Sequence, residues 1–87
     1  MNRVTHWHVF IGAPGAGNVD EDTAHLTRAE ANAYATQQAR LFRELGCRVT
    51  GSASVKRYIA LDERGEETEI LIRQCRDPRC FSDSTLW

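Results

Sequence analysis

Three hydrophobic rhythms run along the chain, and each predicts one kind of element. Residues 5–11 (T-H-W-H-V-F-I) are rich in aromatic and β-branched side chains and predict a first strand. Within residues 28–45, Ala31, Tyr34, Ala35, Gln38, Leu41, Phe42 and Leu45 recur at the spacing of one helical face. Thr27-Arg28-Ala29-Glu30 forms a capping box in which the Thr27 hydroxyl accepts from the Glu30 N–H, and Leu26 with Ala31 supplies the hydrophobic staple. Gly46 offers the left-handed stop. Beyond residue 48 the period falls to two. Val49, Gly51, Ala53, Val55, Ile59 and Leu61 are small or apolar, while Thr50, Ser52, Ser54, Lys56 and Tyr58 between them are polar or amphipathic. This predicts one long strand, interrupted in pattern only by Arg57.

Residues 62–65 (D-E-R-G) fit a four-residue turn with Gly65 in the left-handed position, and the chain returns as a third strand to Cys75. Closing that hairpin with Leu61 opposite Glu66 sets Val55 opposite Ile72, so that their inward faces agree. The expected fold is therefore α+β, in the order β-α-β-β. It has a three-stranded, mainly antiparallel sheet of order 1-3-2 and one helix on one face. The alternative places the first strand beside the second, parallel to it, through a right-handed crossover. Residues 12–26 form a Gly-rich and then acidic loop, and residues 76–87 a tail without periodicity. A connection of about 15 residues is long for a compact domain, so it is mobile, functional, or conceals a further strand.

Length and composition narrow the class. The chain has 87 residues, which allows one domain and one core. Hydrophobic residues make up 41% and charged residues 26%, the balance of a folded globular domain. A net charge of -1 provides no general attraction to nucleic acid or anionic membrane. With neither a long apolar run nor a basic-then-apolar leader, the expected location is cytoplasmic. Lys56 is the sole lysine among 11 basic residues, a bias that fits a GC-rich coding genome better than a binding surface.

The stretch Gly12-Ala13-Pro14-Gly15-Ala16-Gly17 after an apolar strand resembles the phosphate-binding loop of nucleotide phosphotransferases. The chemistry fails at both decisive positions. Asn18 stands where lysine must neutralise phosphate, and Val19 replaces the magnesium-binding hydroxyl. Asp20, Glu21 and Asp22 would then repel phosphate, and the helix begins about ten residues too late. No nucleotide-binding residues are assigned.

His6, His8, Cys75 and Cys80 form the candidate metal set. His6 and His8 share a face of the first strand, Cys75 ends the third, and Cys80 follows a short turn. In the 1-3-2 sheet all four meet at one edge, where two imidazoles and two thiolates suit a tetrahedral structural zinc. The competing readings are inert packed thiols or a Cys75–Cys80 disulfide. Cys47, at the helix-to-strand junction, reads as a packed small residue, and His25 as a solvated loop histidine. Asp20, Glu21 and Asp22 lack the glycine and distal glutamate of an EF-hand loop. No nucleophile–base pair can be assembled, so no catalytic residues are assigned and the expected protein is not an enzyme.

One helix covers one side of a sheet. The other side is expected to expose Phe10, Tyr58, Leu71 and Arg73, with Trp7 near by, a mixture suited to an interface core. Its occupant would be a second copy or another protein, unless Phe81, Leu86 and Trp87 of the tail fold across it. His8, Phe10, Lys56, Tyr58 and Arg73 also combine stacking and cationic groups appropriate to single-stranded nucleic acid. The slightly acidic composition and the missing RNP1 signature make that the alternative.

The segment Leu26-Thr27-Arg28-Ala29-Glu30-Ala31, leading to Leu41 and Leu45-Gly46, resembles short uncharacterised reading frames of actinobacteria and their bacteriophages. Those frames place a "Leu-Thr-x-x-Glu-Ala" helix after a strand and before further strands. The resemblance spans about 20 residues, largely capping chemistry, and carries no catalytic residues across. It implies a small accessory protein that binds and modulates a larger host or phage component. The expectation is thus a protein-binding module acting through the open sheet face.

Overall fold

The computed structural model describes residues 5–14, 19–77 and 80. Along them run β1 (His6–Gly12), β2 (Val19–His25), α1 (Arg28–Glu44), β3 (Arg48–Ser52), β4 (Arg57–Leu61) and β5 (Glu67–Cys75). The strands form one sheet of order β2-β1-β5-β4-β3. Every neighbouring pair is antiparallel. The α+β class holds, but the expected three-stranded sheet is corrected to five strands. The tail residues Phe81, Leu86 and Trp87 lie outside the described residues.

Two features of the chain account for the additional strands. The first is β2, whose sequence V-D-E-D-T-A-H has no apolar alternation. It forms because β1 offers it a partner edge, pairing from Trp7↔His25 to Gly12↔Val19. A charged strand also suits the margin of a sheet, where unpaired backbone invites other chains. The second is a turn at residues 53–56 that divides the long alternation into β3 and β4. Lys56 adopts φ 65°, and its N–H donates to the Ala53 carbonyl at 3.0 Å. Gly51, at φ +98°, is needed there, because a Cβ would lie 2.2 Å from the Arg57 carbonyl oxygen.

The turn reverses which residues face inward. In β3 the inward residue is Val49, whereas in β4 the buried residues are Tyr58 and Ala60. The second hairpin also closes one residue later than expected. Leu61 pairs with Glu67, and Asp62 Oδ1 accepts from the N–H groups of Arg64 and Glu66 at 2.8 and 2.9 Å. A one-residue slip moves every side chain of a strand to the opposite face. Val55, expected opposite Ile72, lies outside the pairing altogether, exposed in the turn at residues 53–56.

The core fills the space between α1 and the sheet. Val9 pairs with Ile72, Ile11 with Ile70, and Ile70 with Tyr58, making an apolar band across β1, β5 and β4. From the helix come Ala31, Ala35 and Ala39, all fully buried, flanked by Tyr34 and Phe42. Leu41 and Leu45, expected in the helical stripe, are instead exposed. Methyl side chains every fourth residue let the helix backbone approach the sheet closely, and that selects the alanine face. The ends of α1 behave as its sequence requires. Thr27 accepts from the Glu30 N–H at 3.1 Å. At the other end Cys47 and Gly46 donate to the Phe42 and Arg43 carbonyls at 3.0 Å, closing a Schellman motif.

Candidate metal centre

The face of the sheet opposite α1 carries the candidate chemistry. His6 and His8 alternate on β1, and Cys75 lies directly opposite His6 on β5. Cys80 reaches the same place from beyond the end of β5, with its sulfur 3.1 Å from His8 Nε2. The two Nε2 atoms of His6 and His8 are 2.9 Å apart. One potential ligand atom from each of the four residues lies within 4.8 Å of every other, so the set could hold a metal ion. The expected grouping of His6, His8, Cys75 and Cys80 is therefore present, and the cysteines are free thiols rather than a disulfide.

The dimensions suit a small tetrahedral ion. Bonds of about 2.0 Å to nitrogen and 2.3 Å to sulfur imply ligand-to-ligand separations of roughly 3.3–3.8 Å. The nitrogen pair must open by a few tenths of an ångström, and the widest separations must close by up to about 1 Å. Two imidazoles with two thiolates would also neutralise a divalent ion, an advantage where His6 is fully buried and His8 nearly so.

Hydrogen bonding prepares one ligand for this role. His8 Nδ1 lies 2.7 Å from Asp22 Oδ1, an arrangement in which the ring N–H donates to the carboxylate. In a neutral imidazole the lone pair is then on Nε2, the atom facing His6 and Cys80. Burial, the hydrogen bond and charge of Cys75, and the charges of Asp22 and Asp77 all push the Cys80 thiol above its ordinary pKa. A cation among these groups would reverse that balance, since a coordinating thiol is deprotonated. Asp22, assigned from sequence to a solvated acidic loop, is the residue that pattern reading overlooked. Its role depends on the pairing of β2, where Phe10↔Asp22 places it diagonally from His8, and no periodicity signals that register.

Other assigned residues separate. Phe10 and Leu71 face each other across β1 and β5 on this open side. Phe10 stacks on His8 with ring centroids 5.3 Å apart and planes 8° from parallel. Arg73 and Asp77 join them around a cleft of 330 Å³ beside the cluster. Tyr58 does not belong to this surface. It is 6% exposed, packs beneath α1, and shares a 2.9 Å hydrogen bond with the Thr36 hydroxyl. The expected interface loses Tyr58 because of the one-residue register change in β4. Lys56 is likewise removed, standing 5.6 Å over the Trp7 ring.

His25 also differs from the solvated loop residue expected. It lies on β2, 2.9 Å from the Thr23 hydroxyl, with its ring centroid 5.1 Å from that of Tyr34 and the two planes tilted by 39°. Burial chiefly lowers its pKa; Glu30 partly offsets this and His8 adds to it. Tyr34, hydrogen-bonded to Glu21, is pushed up to about 12 by burial and then by that carboxylate. Among the described residues no helix is long and apolar enough to cross a membrane. Comparison with known proteins finds no matching family model, no matching curated protein and no matching solved structure.

Proposed function

We propose that this protein is a small non-enzymatic binding module, stapled by one structural zinc ion, that docks a larger protein through the open face of its sheet. The convergence of His6, His8, Cys75 and Cys80 within 4.8 Å carries the reading. Four protein ligands satisfy tetrahedral zinc and leave no position for a reactive water, which favours a structural over a catalytic ion. The ion would join β1, β5 and residue 80, a substantial gain for a chain with a core this small. Phe10 and Arg73 at the adjacent cleft, with Leu71 opposite Phe10 on the same face, are the residues offered to the partner. An accessory role would accord with the resemblance of the helix motif at residues 26–31 to actinobacterial and phage reading frames, and a cytoplasmic location is part of the same proposal. The nucleic-acid alternative has less support. Tyr58 is withdrawn from the face, and Asp22 brings a carboxylate to its border.

Metal analysis of the purified protein should find about one zinc per chain. Chelation should lower the melting temperature by on the order of 20 °C, as expected for loss of a ligand held at about a thousand times its Kd. Cys75→Ser with Cys80→Ser should abolish both effects. A metal-free protein whose melting is indifferent to added zinc would rule out the staple. The docking half is tested separately with Phe10→Ala combined with Leu71→Ala. A partner captured by the parent chain should be lost by the folded double variant, and retention would exclude this face.

A further inference from the structure

We infer that Asp22 is a positioning residue of the metal centre, and that the edge strand β2 and the bound ion therefore stabilise one another. The inference rests on the zinc reading above and extends it to an element that supplies no ligand. Three observations support it. His8 Nδ1 and Asp22 Oδ1 are 2.7 Å apart. Both His6 Nε2 and Cys80 Sγ crowd the same His8 Nε2, at 2.9 and 3.1 Å. One nitrogen lone pair meeting two neighbours is the arrangement that a cation between them resolves. Finally, His8 is 7% exposed, so water competes little for its ring nitrogens.

The physical consequence concerns tautomer and orientation. Without a carboxylate at Nδ1, the imidazole can place its proton on either nitrogen and rotate about its side-chain bonds. With Asp22 accepting from Nδ1–H, the ring is held and Nε2 is presented as a base. Outer partners of this kind, when removed, typically weaken metal binding by roughly 10–100-fold. Because Asp22 belongs to β2, the coupling works in both directions. Whatever factor the docked strand adds to zinc affinity, zinc must return to the docking of the strand. β2 has much to gain from such support. It has one strand partner and contains no buried residue.

Zinc affinity would be measured by competition with a chromophoric chelator for the parent chain, Asp22→Ala, Asp22→Asn and Cys80→Ser. Asp22→Ala should bind zinc roughly 10–100-fold more weakly, and Asp22→Asn should recover part of the loss because its amide oxygen still accepts. Nitrogen-15 spectra of the metal-free parent should show His8 as the Nδ1–H tautomer, a signature that Asp22→Ala should lose. In the parent chain zinc should slow hydrogen exchange of the β2 amides bonded to β1 by a factor similar to the affinity lost in Asp22→Ala. Unchanged zinc affinity in folded Asp22→Ala, with binding lost in Cys80→Ser, would overturn the role of Asp22 and leave the zinc reading intact. Zinc-independent exchange of β2 would overturn the coupling. A parent chain that takes up no zinc would remove both readings together.

Discussion

Ile70 and Leu71 are consecutive in β5, yet they belong to faces assembled in different ways. Ile70 points beneath α1, is fully buried, and sits opposite Ile11 and Tyr58. Leu71 points to the other side, half-buried between Phe10 and Arg57. The helix side is held by close-packed apolar groups, whose attraction needs contact but little direction. The open side is organised at one end by nitrogen, sulfur and carboxylate groups that interact only at defined distances. Such a sheet can be stable on one face while the other remains adaptable for binding.

That contrast can be broken first at the Ile70–Leu71 pair. Ile70→Ala should cost about 3 kcal/mol, a removed transfer term with a cavity added, whereas Leu71→Ala should cost less than about 1 kcal/mol. Denaturant midpoints measure both, and equal losses would mean that the two faces are packed alike. Tyr58 sharpens the same distinction. Tyr58→Phe keeps the ring in the core but removes the hydroxyl shared with Thr36, so a loss of about 1 kcal/mol is expected. A Tyr58 exposed on the open face would show no change.

The smallest effect concerns His25, on the helix-facing side of β2. Its folded pKa is lowered, so the unfolded chain binds the proton more readily. Its contribution is present above the ordinary histidine value of 6.5 and is lost as pH falls below that toward the folded pKa. In metal-free protein, the difference in stability between the parent and His25→Gln should therefore shrink as pH is lowered through this window. A difference independent of pH would show that His25 titrates alike in both states.

The elements with local signals were legible in the sequence. Thr27, Glu30 and Gly46 fix the ends of α1 through chemistry contained within a few residues. The aromatic and β-branched run fixes β1. The grouping of His6, His8 and Cys75 was also legible, because His6 and His8 need only a shared strand face, and Cys75 needs only the neighbourhood of β1 and β5. Less visible was anything decided by pairing. β2 contains no hydrophobic period, and its place is granted by the free edge of β1. The alternation through residues 49–61 continues across the turn at 53–56 without a break in pattern, although the chain reverses there. Gly51 and Lys56 were the local markers, both at positive φ, but neither residue type alone announces a turn. Tyr58 was misplaced for that reason, and Asp22 was overlooked because its partner lies across a strand pair that the pattern did not reveal.

The alanine seam of α1 also sets a direction for how this protein can diversify. Ala31, Ala35 and Ala39 touch the sheet with nothing beyond a methyl group and have no exposed surface. Any larger residue there must push the helix outward along its length, at a typical cost of about 1–3 kcal/mol per overpacked site. Drift on the helix is therefore channelled to Leu41, Leu45 and the polar positions, while the shape of the core stays fixed. The open side carries no comparable restriction around Leu71 and Arg73. Descendants of this chain are free to acquire new partners there while inheriting an unchanged helix–sheet spacing.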